Sequence, residues 1–106
     1  MNTHEVIAVT SRSFCKNMTL VEELKTRYAK VILNETGKTL VGHDLINFLS
    51  KADKAIVGIE DMSAEHLVQM PNLKVISKYG VGLNNIDLGY CKSHNIKLGF
   101  IPGVNK

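Results

Sequence analysis

Five short apolar runs, separated by segments with helical signals, set the strongest constraint on how this chain of 106 residues can fold. The runs are rich in Val, Ile and Leu, and each has the length of a strand buried on both faces. They lie at 5–11, 30–34, 54–59, 73–77 and 97–101. Strands that alternate with helices through short connections predict a parallel sheet with helices packed on it.

Four segments between these runs are predicted to be helices. The first begins with a Ser/Thr-x-x-Glu capping box at Thr19, followed by apolar residues at helical spacing. The second spans about 42–51, and the third follows a candidate N-cap, Ser63. The fourth spans about 84–93, with Leu88 among its inward-facing residues. All four are short enough for a compact domain.

The right-handed crossover rule leaves few topologies, and the commonest one for five strands is the flavodoxin-like order 2-1-3-4-5. We therefore predict one α/β domain over residues 1–106, with helices on both faces of a parallel five-stranded sheet. Asn95 is expected to take the left-handed conformation that ends the fourth helix. A closing helix ordinarily follows the fifth strand in this fold, and we expect it to be lacking here.

The turn between the fourth strand and the fourth helix is the candidate ligand site. It contains Gly80-Val81-Gly82. Free backbone N–H groups at such a turn, together with the positive end of a helix dipole, favour an anion. A dinucleotide fingerprint would need a third glycine at position 85, which is asparagine. The expected anion is therefore as small as a carboxylate.

The predicted site consists of Lys78, Tyr79, Gly80, Val81 and Gly82. The N–H groups of Val81 and Gly82 would hold the anion, and Lys78 and Tyr79 would add a charge and a hydroxyl group. The alternative is that the glycines serve only to let the chain leave the strand.

Other polar residues near the predicted strand ends give weaker signals. Arg12 could direct a guanidinium at a carboxylate or phosphate, or be a solvated loop residue. Glu60 and Asp61 are adjacent carboxylates, which we expect to be exposed charges in a turn. No nucleophile motif is visible, so no catalytic residue is assigned to this chain.

Composition argues against several classes of partner. The net charge of +3 comes from scattered lysines, so we expect no nucleic acid. The apolar run at 6–9 is too short to span a membrane. The histidines lack metal-ligand spacing, so no metal is expected. Cys15 and Cys91 lack CxxC spacing, which fits unactivated, reduced thiols in the cytoplasm.

Two linked motifs resemble one enzyme family. Residues 73–88 resemble the substrate-domain signature of the D-isomer-specific 2-hydroxyacid dehydrogenases, with the Arg-Ala-Gly-x-Gly-x-Asp-Asn-x-Asp run of the phosphoglycerate dehydrogenase branch as the nearest pattern. Residues 95–105 resemble the family's Gly-Ile-x-Val-x-Asn-x-Pro-Gly-x-Asn. With the strand–helix alternation, the resemblance covers essentially the whole chain.

The resemblance implies a two-domain enzyme that passes hydride between NAD and a 2-hydroxy or 2-keto acid. The substrate carboxylate would lie on the N–H groups of Val81 and Gly82. The NAD-binding domain and the catalytic Arg, Glu and His would lie outside residues 1–106. We therefore expect the N-terminal part of a substrate domain that binds no NAD and has no turnover alone. The parent is expected to be a homodimer, and this piece to self-associate through exposed apolar surface.

The chain departs from the family pattern at several places, which include Gly99 and Phe100 at the end of the fifth strand. Lys78 replaces the usual arginine, and Asn84 replaces the usual aspartate. Residues 57–60 lack the Arg-Ser of many phosphoglycerate-specific members, which argues against 3-phosphoglycerate as the substrate. An alternative function is a stand-alone small-anion binding or protein-interaction module. A flavodoxin-like signalling domain is a third, and the lack of an acidic pair disfavours it.

Overall fold

The computed structural model describes residues 2–79, 82 and 84–101, with the backbone alone at 2, 3, 100 and 101. Over this part of the chain, strands and helices follow one another as β1 (Asn2–Val9), α1 (Arg12–Lys16), α2 (Met18–Arg27), β2 (Tyr28–Leu33), α3 (Gly42–Leu49), β3 (Lys54–Val57), α4 (Ala64–Leu67), β4 (Val75–Tyr79), α5 (Leu88–Ser93) and β5 (Lys97–Ile101). No helix among these residues is long and apolar enough to cross a membrane.

The five strands form one sheet in the order β2-β1-β3-β4-β5. Every neighbouring pair is parallel, as in the pairing of Val9 with Leu33 on one side and with Ile56 on the other. This is the predicted flavodoxin-like order. Because all strands point the same way, their carboxyl ends meet along one edge of the sheet.

Helices cover both faces of the sheet, as predicted. On one face α1 and α2 bury Phe14, Val21 and Leu24 against Ile7, Val9 and Ile56. On the other face α3, α4 and α5 pack around Leu45, Leu49, Leu67 and Cys91. Successive residues of a strand point to opposite faces, so one strand contributes to both clusters.

The first part of the chain contains a helix that the pattern did not predict, and the expected capping box is wrong. Helix α1 begins after Ser11, whose Oγ accepts a hydrogen bond from the Phe14 N–H at 3.2 Å. Helix α2 is capped by Asn17, whose Oδ1 accepts from the Leu20 N–H at 3.1 Å. Thr19 therefore lies inside α2. Asn17 is both the C-cap of α1 and the N-cap of α2. The N-cap of α2 therefore lies two residues before Thr19, the predicted one.

The helix predicted from position 84 begins four residues later. Ile86 forms a bridge with Met62, which holds the preceding turn in an extended path. Asp87 then caps α5, with its Oδ1 accepting from the Tyr90 N–H at 2.9 Å. Leu88, expected to face inward, is 44% exposed. The left-handed conformation predicted for Asn95 is confirmed, with φ of 58°.

Ser63 stands at the N-cap position of α4, as predicted, but its side chain does not cap the backbone. Its Oγ instead lies 3.0 Å from His66 Nδ1. On the α2 side of the sheet, half-buried Val75 and Ser77 line a groove of about 350 Å³.

We predict that Asn17→Ala lowers the free energy of unfolding by about 1 kcal/mol, because the Leu20 N–H loses its side-chain acceptor. Urea unfolding followed by circular dichroism measures the change. Thr19→Ala is the matched control, since Thr19 is exposed within the same helix and should change stability by less than about 0.5 kcal/mol. Equal losses in the two variants would contradict the assignment of the cap.

Candidate functional site

The carboxyl ends of β1, β3 and β4 bring three polar side chains from distant parts of the sequence to one edge of the sheet. Thr10 follows β1, Glu60 lies in the loop after β3, and Lys78 is the next-to-last residue of β4. All three are buried, at 0%, 2% and 4% exposure. Ligands of open α/β sheets bind at this edge, so its buried polar residues are the candidate site.

Lys78 points its ammonium group between two loops. Its Nζ donates to the Gly58 carbonyl at 2.6 Å and to Asn85 Oδ1 at 2.8 Å. Hydrogen bonds from a charged donor are the stronger kind, and here they lie away from bulk water. Lys78 therefore ties the loop after β3 to the turn after β4.

Asn85 completes the same connection. Its Nδ2 donates to the Gly58 carbonyl at 2.9 Å and to the Glu60 carbonyl at 2.7 Å. The backbone carbonyl of Asn85 accepts a hydrogen bond from the Met62 N–H at 2.8 Å. The position where a dinucleotide fingerprint needs a bare glycine thus carries a side chain that joins two loops.

Glu60 is buried, so the expectation that it is an exposed turn charge is wrong. Its Oε1 accepts from Thr10 Oγ1 at 2.9 Å and from the Gly58 N–H at 2.7 Å. The neighbouring Asp61 does match the expectation, with a side chain that is 65% exposed. The Thr10 partner is 50 residues away in the sequence, so no local pattern could reveal it.

A crevice of about 140 Å³ lies beside this carboxyl group. Strands β2 and β3 flank β1 on opposite sides, so the crevice is at the topological switch point of the sheet. Its lining includes Ser11, Arg12, Ser13, Gly58, Glu60 and Tyr79. No local sequence pattern indicates that the residues after β1 lie beside Glu60.

The predicted site residues after Lys78 occupy the end of β4 and the turn beyond it. Tyr79 is half-buried, lines the crevice, and packs edge-on against Phe14 with ring centroids 5.3 Å apart. Gly82 is exposed and has φ of +79°, which favours glycine. Gly80 and Val81 lie outside the described residues.

The helix dipole expected at this turn does not contribute there. Helix α5 begins six residues after Gly82, and its first turn is capped by Asp87. Arg12 is exposed, and its Nη1 lies 3.4 Å from the Gly37 carbonyl. Any anion at the glycine turn would therefore depend on local backbone N–H groups and nearby side chains.

Neither cysteine is activated, as predicted. Burial raises the pKa of the Cys15 thiol, a hydrogen bond involving the Asn34 backbone lowers it, and Glu35 and Glu60 raise it further. Burial also raises the pKa of Cys91. Across the residues that the structure describes, no three His, Cys, Asp or Glu side chains cluster as metal ligands would.

We predict that Asn85→Ala lowers the free energy of unfolding by about 2–3 kcal/mol, because the Glu60 carbonyl and the Lys78 ammonium each lose a buried partner. Chemical denaturation gives the value. Asn84→Ala provides the control, since Asn84 is exposed and should change stability by less than about 0.5 kcal/mol. Similar values for the two neighbours would argue against the loop connection.

The raised pKa of Cys15 predicts slow alkylation. The thiolate is the reactive form, so at pH 8 Cys15 should react with iodoacetamide several-fold more slowly than glutathione does. Its rate should keep rising above pH 9, as mass spectrometry of timed samples would show. Cys91 is fully buried and should react only after unfolding. A Cys15 rate at pH 7 above that of glutathione would contradict the shift.

Known proteins resemble this chain both in fold and in sequence. The chain aligns with a D-isomer specific 2-hydroxyacid dehydrogenase of Polaromonas with a TM-score of 0.80 and 24% identity, covering 89% of this chain and 29% of that one. NAD⁺-bound 3-phosphoglycerate dehydrogenase of Entamoeba histolytica aligns with a TM-score of 0.70 and 24% identity, over 91% of this chain and 32% of the other. At these identities the structures establish the fold alone.

A sequence relative is glyoxylate/hydroxypyruvate reductase A of Arabidopsis thaliana, which is 38% identical over an alignment of 53 residues; the alignment covers 48% of this chain and 17% of that protein. The chain thus spans less than a third of the length of each of these three proteins. The model of the D-isomer specific 2-hydroxyacid dehydrogenase catalytic domain matches residues 7–106. The chain therefore belongs to the catalytic-domain family of the D-isomer specific 2-hydroxyacid dehydrogenases.

Proposed function

We propose that this chain supplies the substrate-binding part of an NAD-dependent oxidoreductase that interconverts a 2-hydroxy acid and a 2-keto acid. The proposal rests mainly on one observation, which is that the residue leading into the glycine turn also lines the switch-point crevice. Tyr79 lines the crevice, and the positive φ of Gly82 follows it within three residues. Membership of the family supports the reaction class.

In this proposal the substrate carboxylate binds the backbone N–H groups of Val81 and Gly82, and Gly80 is the first residue of the binding turn. Lys78 stabilises the start of the turn, because two of its three N–H donors form hydrogen bonds with the Gly58 carbonyl and with Asn85 Oδ1. Tyr79 adds a hydroxyl group at the crevice wall. The role of these residues is to bind and orient the acid.

NAD is proposed to bind to a separate domain rather than to this one. The residues present do not fit a dinucleotide, because Asn85 stands where the fingerprint needs a bare glycine and its side chain is engaged on both sides. Residues 1–106 would then be the N-terminal part of the substrate domain. A homodimeric parent, a cytoplasmic location and self-association of this piece through exposed apolar residues such as Val41 and Val68 stay predictions.

The second candidate function is a stand-alone module that binds a small anion. The exposed turn at Gly82 fits it equally well. The coding sequence beyond Lys106 separates the two. A helix followed by Gly-x-Gly-x-x-Gly would support the dehydrogenase, whereas a stop codon at that point would favour the module.

We predict that oxalate, a small dicarboxylate resembling a 2-keto acid, shifts the amide signals of Tyr79 and Gly82 in ¹H–¹⁵N spectra of this chain. NADH should give no fluorescence change with the chain alone. Micromolar NADH binding would contradict the assignment of the cofactor to another domain. Oxalate shifts confined to other parts of the chain would contradict the carboxylate site.

Gly82→Ala should weaken oxalate binding about tenfold, because φ of +79° strains any residue with a Cβ and the turn must change. Gly89→Ala is the control, since an added Cβ there meets only Asp87 Oδ1, at 3.5 Å. It should leave oxalate affinity unchanged. Equal affinity of the two variants would show that the turn does not bind the acid.

A further inference from the structure

The described residues bind only one of the two oxygens of the Glu60 carboxyl group. Both of its hydrogen bonds, from Thr10 Oγ1 and from the Gly58 N–H, go to Oε1. Among the described residues, none donates a hydrogen bond to Oε2 and none forms an ion pair with Glu60. Glu60 as a whole is only 2% exposed, yet no buried side-chain nitrogen or oxygen of the described residues lacks a hydrogen-bond partner, so Oε2 must still reach solvent.

The side chain of Glu60 contributes to the wall of the switch-point crevice. Glu60 lines the crevice together with Ser11 and Gly58. A Cβ added at Gly58 would lie 3.3 Å from Ser11 Oγ and 3.6 Å from Glu60 Oε1. The absence of a side chain at Gly58 therefore keeps open the space between the serine and the carboxyl group.

The size of the crevice limits what can enter. Its volume of about 140 Å³ accommodates about four or five water-sized groups. That is enough for the end of a small acid but not for a bulky side chain. A ligand group at the bottom of the crevice would meet the carboxyl group of Glu60, which is a hydrogen-bond acceptor with negative character.

We propose that Glu60 is a specificity-determining residue, which selects acids whose distal group donates a hydrogen bond and disfavours acids that end in phosphate. The inference rests on the proposed function, because it assumes that the 2-hydroxy acid is anchored at the glycine turn and extends into the crevice. A hydroxyl group can donate to Oε2. A phosphate brings like charge and no donor, and burial strengthens the repulsion.

The nearest cations do not reverse this preference. The ammonium group of Lys78 is bonded to the Gly58 carbonyl and to Asn85 Oδ1, and it forms no ion pair with Glu60 among the described residues. Arg12 is exposed at the crevice rim, and its Nη1 is directed to the Gly37 carbonyl. Solvent weakens the attraction between an exposed arginine and an anion, whereas the repulsion from Glu60 acts in the interior.

The test compares three acids that differ only at the third carbon: D-lactate, D-glycerate and 3-phospho-D-glycerate. Each is titrated into ¹⁵N-labelled chain, and the Gly82 and Gly58 amide signals are followed. Gly82 reports the carboxylate anchor, and Gly58 reports the crevice because its N–H donates to Glu60. D-glycerate should bind about tenfold more tightly than D-lactate, and 3-phospho-D-glycerate should bind most weakly.

Glu60→Gln provides the matched change, since the amide oxygen can keep both bonds of Oε1 while the new NH₂ faces the crevice. The affinity for 3-phospho-D-glycerate relative to D-glycerate should rise at least about tenfold. Asp61→Asn is the control, because it removes an exposed carboxylate next in sequence and should leave the ratio unchanged. Urea unfolding checks that both variants are folded.

Two results would overturn the inference while leaving the proposed function intact. One is a shift of Gly82 without any shift of Gly58, and the other is an order of the three acids that Glu60→Gln does not alter. Failure of all three acids to shift Gly82 would instead contradict the proposed function, and the role of Glu60 would fall with it.

Discussion

The buried ammonium of Lys78 is the contact on which the arrangement of the ligand edge depends. It joins the carbonyl of Gly58 to the side chain of Asn85, and so connects loops that follow different strands. Without a partner, a charge at 4% exposure would be strongly unfavourable, so both loops must stay close to it. The end of β4, which leads into the glycine turn, is therefore held in place by these hydrogen bonds.

The parallel sheet makes this contact possible. Strands β3 and β4 are neighbours in register, with Val57 beside Lys78, so their carboxyl ends carry the two loops to the same place. On the other side of β3, the end of β1 supplies Thr10, which donates to Glu60. One short loop, 58–60, is thereby held from both sides by residues that are distant in sequence.

This loop also divides the edge into two environments. On one side of it a cation is bonded to carbonyl and amide oxygens, and on the other a carboxyl group borders the crevice. The proposed specificity would place Glu60 beside the distal part of the substrate, so a change in this one short loop would alter which acids bind.

Local sequence patterns predicted the parts of this protein that depend on local physics. Apolar runs of strand length and helical spacing led to the strand order and to helices on both faces, and the preference of Asn for the left-handed conformation was confirmed at Asn95. The two linked motifs led to the family. The first residues of the helices were less predictable. Asn17 caps both α1 and α2, and the bridge between Ile86 and Met62 keeps the chain extended, so that α5 begins later than expected.

The burial of Glu60 was decided by the tertiary structure alone. Its partner Thr10 lies 50 residues away, and the loop has the composition of an exposed turn. The sequence by itself thus determined the sheet, the place of the glycine turn and the residues near it. Only the folded chain determined which charges are buried and what they face, since burial depends on neighbours that packing brings together rather than on adjacent residues.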